Sequence, residues 1–212
     1  IQNQDRYYPI DARQAFYDSS YALHPMQLST LSGSWAEWQA PGSVYEFRSA
    51  SLGAPYWHPD APNGGNGGPK WTAEQRMAIK RAVNTYKTKI RPLVRTGNLY
   101  HILPRPDDKR WDGVEYFDPA AKKGAAYVFR PNSPNGSQVV KLKGLHDKAR
   151  YWLWCEDGSI APMQKSGEEL MIQGFDMRLP GPCSSDIVFL QDVTLGKPSD
   201  LEPAKAAATS QP

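Results

Sequence analysis

The chain has 212 residues, 40% hydrophobic and 22% charged, an ordinary globular composition that excludes a wholly disordered chain. Its net charge of +3 is spread along the length, so neither a nucleic-acid groove nor a polybasic membrane patch is expected. No run approaches the roughly 18 apolar residues of a membrane span, which points to a soluble chain without a membrane partner.

From Pro9 to Leu31, helical spacing of Ala15, Phe16, Tyr21 and Leu23 ahead of Pro25 predicts loop, helix and turn. The run Ser43 to Ser51 alternates Val44, Tyr45 and Phe47 with polar residues and reads equally as a short strand or a helix start. Pro and Gly crowd YWHPDAPNGGNGGP, Tyr56 to Pro69, which predicts a surface loop. Its GGNGG lacks the Gly-Lys-Ser/Thr ending of a phosphate loop. Thr72 with Gln75 makes a capping box, and Met77, Ile79, Ala82, Val83, Tyr86 and Ile90 recur at helical spacing until Pro92.

Past Gly97 the texture changes to short runs of Tyr, Val, Trp and Ile between turn residues, the pattern of an antiparallel sandwich. The expected strands are Leu99 to Leu103, Val114 to Phe117, Ala125 to Arg130, Gln138 to Leu142, Ala149 to Cys155, Glu169 to Ile172, Asp176 to Leu179 and Asp186 to Asp192. From Gly196 the Pro, Ala, Ser and Thr content predicts a poorly ordered tail. Residues 1–97 hold too little to enclose a core alone and read as part of something larger. Ile1 is not a methionine, so a precursor, a processed chain or a truncated one is expected.

Seven Trp and eleven Tyr stand against six Phe, a bias toward rings with a polar handle. Such rings suit sugar-binding surfaces, where a pyranose CH face packs on a ring, and they equally fill a sandwich core. Alternation over Tyr151 to Cys155 puts Trp152 and Trp154 on one face and Tyr151 and Leu153 on the other. With Tyr100 and Trp111 they can form a stacking platform, or the Trp face can contact the preceding part of the chain. Cys155 and Cys183 are too few for a disulfide framework, a single bridge between them stays open, and no spacing with the four His suggests a metal site. No cofactor is expected.

The segment YKTKIRPLVRTGNLYHIL, Tyr86 to Leu103, resembles the passage from the last barrel helix into the carboxy-terminal β domain of melibiase-type α-galactosidases, glycoside hydrolase family 36-like enzymes. The resemblance continues through AAYVFRPN, VVKLKGLHDKARYWL, SGEELMIQGFDMRLPG and SSDIVFLQ. Upstream, QDRYYPIDARQAFYDSSYALHP is similar to the family's Ser-Asp, Asn, Pro-Leu-Asp, Arg segment after a late barrel strand, although Gln4 stands where the family has serine.

This resemblance implies the carboxy-terminal part of a (β/α)8 barrel over 1–97, an antiparallel β-sandwich over 98–195 and a disordered tail over 196–212. It implies retaining hydrolysis of terminal α-galactosides with Asp5 as general acid/base. Asp11, at the Pro-Leu-Asp position, and Arg13 beside it are expected at the substrate, with an ion pair that holds the acid/base loop as a second role for Asp11. Trp35, Trp38, Tyr56 and Trp57 are expected as sugar-stacking walls or as loop packing. Asp18, Glu37 and Glu46 can line a barrel mouth, though each reads more readily as a cap or surface charge. The family's nucleophile lies on an earlier strand without counterpart in these residues, so the chain alone is expected to be inactive and its partners to be the galactoside and the amino-terminal remainder of the enzyme. Two competing readings are a carbohydrate-binding or structural β module and a protein-interaction domain with no sugar role.

Overall fold

A computed structural model describes residues 2–3, 9–32, 43–57 and 70–201. Its first part is a β-α-β-α-β run: strands β1 (Gln2–Asn3), β2 (Ser29–Ser32) and β3 (Ala54–Trp57), with helix α1 (Pro9–Ser19) after β1 and α2 (Ser43–Ala50) after β2. The strands pair in parallel in the order β1-β2-β3. A crossover helix is what lets neighbouring strands run the same way.

Pro9 opens α1, where its missing N–H is not needed, and Asp11 in the first turn complements the helix dipole. Residues 43–50, open between strand and helix in the sequence, are helical because Tyr45, Arg48 and Ser49 are all wanted inward on one face. The strands β2 and β3 were not legible. Four residues each give no periodicity to read, and β3 takes the first two residues of the expected 56–69 loop while 58–69 lie outside the described residues.

Helix α3 (Ala73–Thr85) starts at the expected capping box, with the Thr72 side chain accepting from Gln75 N–H and the Gln75 side chain accepting from Thr72 N–H. Ile79, Ala82, Tyr86 and Ile90 are buried as the spacing requires, whereas Met77 is 73% exposed. Pro92 does not end the helix. A π turn (Tyr86–Ile90) shifts the hydrogen-bond register, Pro92 falls in the first turn of α4 (Arg91–Thr96), and the helical path continues to Thr96.

Beyond Gly97 lies an antiparallel sandwich. Strands β4 (Asn98–His101), β5 (Asp112–Asp118), β6 (Lys123–Arg130), β8 (Arg150–Cys155), β9 (Met163–Ser166) and β11 (Ser184–Asp192) form a six-stranded sheet ordered β4-β5-β6-β11-β8-β9. Strands β7 (Ser137–Val140) and β10 (Phe175–Arg178) pair in a second, two-stranded sheet. Glu169 to Ile172, expected as a strand, belongs to helix α5 (Gly167–Ile172). A second reciprocal capping box, Ser166 with Glu169, nucleates it and overrides the β-prone Met-Ile end.

The central strands β5, β6 and β11 are covered on both faces. Val114, Tyr116, Tyr127, Phe129, Ile187 and Phe189 share one core with α1 to α4. Val128, Leu153, Val188 and Leu190 share the other with β7, β10 and α5. The sheet is thus the middle layer between helices and a small sheet, and the amino-terminal helices bury their apolar faces on it rather than on one another alone. The tail is docked farther than its composition suggests: a 3-10 turn (Ser199–Leu201) packs on the first core, and residues 202–212 lie outside the described residues.

A strand-end edge held by two buried arginines

Parallel pairing sets all three amino-terminal strands pointing one way, with Asn3 beside Thr30 and Ser32 beside Trp57. Their carboxyl ends therefore share one edge, the edge where β/α enzymes carry their chemistry. Of the residues predicted for a site, Trp57 is the last residue of β3. Asp5 follows β1, and Trp35 and Trp38 follow β2, in segments outside the described residues. The three strands thus end on one edge, and along the chain a predicted site residue stands at the end of β3 and a few residues after the ends of β1 and β2.

Arg13 is 1% exposed. Its Nε and Nη2 donate to Asp112 Oδ1 and Oδ2 at 2.8 and 3.1 Å, and Nη1 donates to Ser49 Oγ at 2.7 Å and to the Pro9 carbonyl at 3.4 Å. The guanidinium carbon lies 5.1 Å from the Tyr45 ring centre and 4.5 Å from that of Phe129. Burial works against the Arg13 charge, but the Asp112 carboxylate more than offsets it and holds the guanidinium above its ordinary pKa. One side chain so ties α1, α2 and the β-sandwich together. Asp11, two residues earlier, is half-buried in the first turn of α1.

A second arginine repeats the device from α2. Arg48 Nη2 donates to Glu156 and Asp157, each at 2.7 Å, and Nη1 to the Ser185 carbonyl at 2.6 Å, with Asp186 Oδ1 at 4.0 Å. Burial opposes this charge too, and Glu156, Asp157 and Asp186 together raise it. Asp186 is itself buried and accepts from the Asp157 and Ser159 amides and the Ser159 hydroxyl.

Three tyrosine hydroxyls then fix the turn between α2 and β3. Tyr127 donates to the Ser51 carbonyl at 3.2 Å, Tyr116 to Leu52 at 2.6 Å and Tyr86 to Gly53 at 2.7 Å. Three consecutive carbonyls that would otherwise be buried unpaired are satisfied from the sheet and the helix behind it. A side chain at Gly53 would meet the Leu28 and Pro25 carbonyl oxygens at 2.5 and 2.6 Å, so only glycine lets β3 lie this close to β2.

Arg48, Asp112, Glu156, Tyr116 and Tyr127 had no signal in the sequence beyond being charged or aromatic, and Tyr86 was marked only as an inward position of its helix. Glu115 was equally silent: wholly buried, it accepts only from the Lys143 amide at 2.8 Å and leaves Oε1 without a partner. Burial pushes its carboxyl up to about 8. Glu46 on α2 is likewise pushed up to about 8 by burial, its Oε1 unpaired.

The platform residues are turned to other uses. Trp152 and Trp154 face the helices, with Trp154 Nε1 donating to Asp200 at 3.0 Å and its ring 5.6 Å from that of Phe189. Tyr151 and Trp111 are buried in the opposite core, and Tyr100 packs against it. Both cysteines are free thiols, Cys155 in one core and Cys183 against the other. No helix among the described residues is long and apolar enough to cross a membrane.

Parallel β/α units backed on an antiparallel sandwich define the class of architecture, an α/β part joined to an all-β part, and solved structures share it. The galactosidase domain of an α-galactosidase–sucrose kinase superposes with TM-score 0.73 at 16% identity, over 89% of this chain and 25% of that one. The GH36 α-galactosidase AgaB from Geobacillus stearothermophilus gives 0.69 at 20% identity, again over 89% and 25%. The α-galactosidase from Lactobacillus brevis gives 0.63 at 18% identity, over 83% and 24%. No family model and no curated protein matches the sequence. The chain shares the fold of one part of these glycoside hydrolases and spans about a quarter of their length.

Proposed function

We propose that the chain is the carboxy-terminal part of a retaining glycoside hydrolase acting on terminal α-galactosides, with residues 1–97 the end of a (β/α)8 barrel and 98–195 its β-sandwich. The observation that carries this reading is the likeness over 89% of the chain to GH36 α-galactosidases. The open outer edges of the three-stranded parallel sheet support it, since among the described residues neither β1 nor β3 has a second neighbour and a closed barrel would supply both.

In this reading Asp5 is the general acid/base. Protonated, it gives its proton to the departing glycosidic oxygen while a second carboxylate, outside this chain, attacks the anomeric carbon. Ionised, it then takes a proton from the water that releases the sugar from that carboxylate. Trp35 and Trp57 offer ring faces to the pyranose, and Asp11 a carboxylate to its hydroxyls. Arg13 acts on the substrate site indirectly, by holding the start of α1, which directly follows the Asp5 segment.

The intact mass of the native polypeptide should exceed 23.7 kDa by several fold. In that polypeptide Asp5→Asn should lower turnover of an α-galactoside with a poor leaving group by about 10²–10⁴-fold, with azide restoring turnover of an activated aryl substrate. The 212-residue chain alone should be inactive. Asp5-dependent turnover by the isolated chain would overturn the placing of the nucleophile elsewhere. Undiminished turnover in the Asn variant would overturn the role of Asp5.

The alternative, a carbohydrate-binding sandwich without catalysis, is weakened by the burial of Trp154 against Phe189 and Asp200, which removes the candidate platform from the surface.

A further inference from the structure

At the amino end of β3 the surface opens into a groove of about 480 Å³. Met26 of the 3-10 turn Pro25–Gln27, Phe47 of α2, Pro55 of β3 and Val83 of α3 make it apolar, and Lys87 and Arg91 are part of its lining. Among the described residues β3 pairs with β2 alone. The Ala54 N–H bonds the Leu28 carbonyl at 2.9 Å, so Pro55 turns to the other edge of the strand, where it has no N–H to offer. Whatever covers this end of β3 is therefore held by side chains more than by a strand ladder.

A second hollow of about 380 Å³ adjoins the groove, with Lys87 and Arg91 lining both and Arg95 added in the second. All three cations are exposed and have no ion pair among the described residues, and no carboxylate lines either hollow. Like charges four residues apart thus stand on one side of the helical path, which costs stability unless an anion opposes them.

Elsewhere on the same helical path such cations have their acids. Arg81 bonds Asp157 at 2.7 Å and Lys89 pairs with Asp200, both carboxylates coming from the part of the chain beyond Gly97. The Lys87–Arg95 side lacks that complement, and beside it lies an apolar groove with nothing seated in it among the described residues. An apolar recess rimmed by charge of one sign fits a polypeptide surface that carries an apolar anchor next to charge of the other sign.

We propose, resting on the reading above that a larger part of the polypeptide precedes this chain, that the two hollows are a docking surface for that amino-terminal remainder. It seats an apolar side chain between Met26, Phe47 and Val83 and sets one or more carboxylates against Lys87, Arg91 and Arg95. The structures that share this fold are matched over only 25% of their length, which leaves ample polypeptide to supply such a segment.

Lysine acetylation and carbodiimide coupling of the full native polypeptide, both read by peptide mass spectrometry, test this. Lys87 should acetylate severalfold more slowly than Lys148, which is exposed on the sandwich, and should couple to an Asp or Glu that precedes Ile1. Replacing Lys87 and Arg91 together by Glu should lower the melting temperature of the full polypeptide, and replacing the coupled carboxylate by Lys should recover part of the loss. Acetylation of Lys87 as fast as that of Lys148 in a polypeptide much larger than 23.7 kDa would overturn the docking surface alone. Coupling of Lys87 to a separate protein would overturn it too, in favour of an external partner. A native mass near 23.7 kDa would overturn both this surface and the reading it rests on.

Discussion

Arg13 and Asp112 lie 99 positions apart in sequence and meet in a buried two-pronged ion pair at 2.8 and 3.1 Å. It joins the first crossover helix to the second strand of the β-sandwich at a point reached by no solvent. Removing either partner strands the other charge. Asp112→Asn and Arg13→Met should each destabilise the chain by about 3–5 kcal/mol, and Arg13→Lys by nearly as much, because an ammonium cannot span both carboxylate oxygens. Urea unfolding of the three variants checks this, and a Lys variant as stable as the parent would show that the fork geometry does not matter.

Arg48 and Arg81 both bond Asp157 at 2.7 Å, but Arg48 is buried while Arg81 is 62% exposed. Equal distances should not mean equal worth. Arg81→Ala is expected to cost under about 1 kcal/mol and to lose even that in high salt. Arg48→Met should cost about 3–5 kcal/mol with little salt dependence, since it leaves Glu156 and Asp186 buried beside no cation. Thermal unfolding at two ionic strengths separates the cases.

The Ser51–Gly53 turn makes a sharper test of hydrogen bonding than of packing. Tyr86→Phe, Tyr116→Phe and Tyr127→Phe keep the ring and remove only the hydroxyl, leaving one buried carbonyl unpaired each time. Each should cost about 1–3 kcal/mol. Because the three bonds hold consecutive residues, the triple variant should cost less than the sum of the singles, and additive costs would mean the turn is rigid without them.

Glu115 sets a pH dependence with a definite sign. Its carboxyl is held protonated up to about 8 in the folded chain against an ordinary value of 4.5. Between those values the folded state carries a proton that the unfolded state has lost, so stability falls as pH rises, by about 1.4 kcal/mol per unit at most for one such group. Glu46 adds to the same slope. Chemical unfolding from pH 4.5 to 8 should show the decline, and Glu115→Gln should flatten it in part. An unchanged slope would mean that water reaches the carboxyl.

The sequence by itself determined the local and periodic features. Thr72 and Gln75 announce α3 because a capping box is complete within four residues, and the run from Leu99 to Asp192 shows its sandwich because short apolar runs between turn residues can be read one strand at a time, although β9 (Met163–Ser166) escaped that reading. The face shared by Trp152 and Trp154 was legible for the same reason, since period 2 is fixed by the pleat. What that face meets was not.

Tertiary structure alone decided that the Trp face meets helices, whereas the Ser166–Glu169 capping box that starts α5 is as local as that of α3 and was passed over for the β-prone Met171 and Ile172. Tertiary structure also decided that β1, β2 and β3 exist, since strands of two to four residues owe their form to the neighbours they pair with. The buried arginines belong to the same category. Arg13 and Arg48 read in sequence as ordinary helix charges. Only folding brings Asp112, Glu156 and Asp157 to them from about a hundred residues away, because the energy of a buried charge depends on what surrounds it in space and not on its neighbours along the chain.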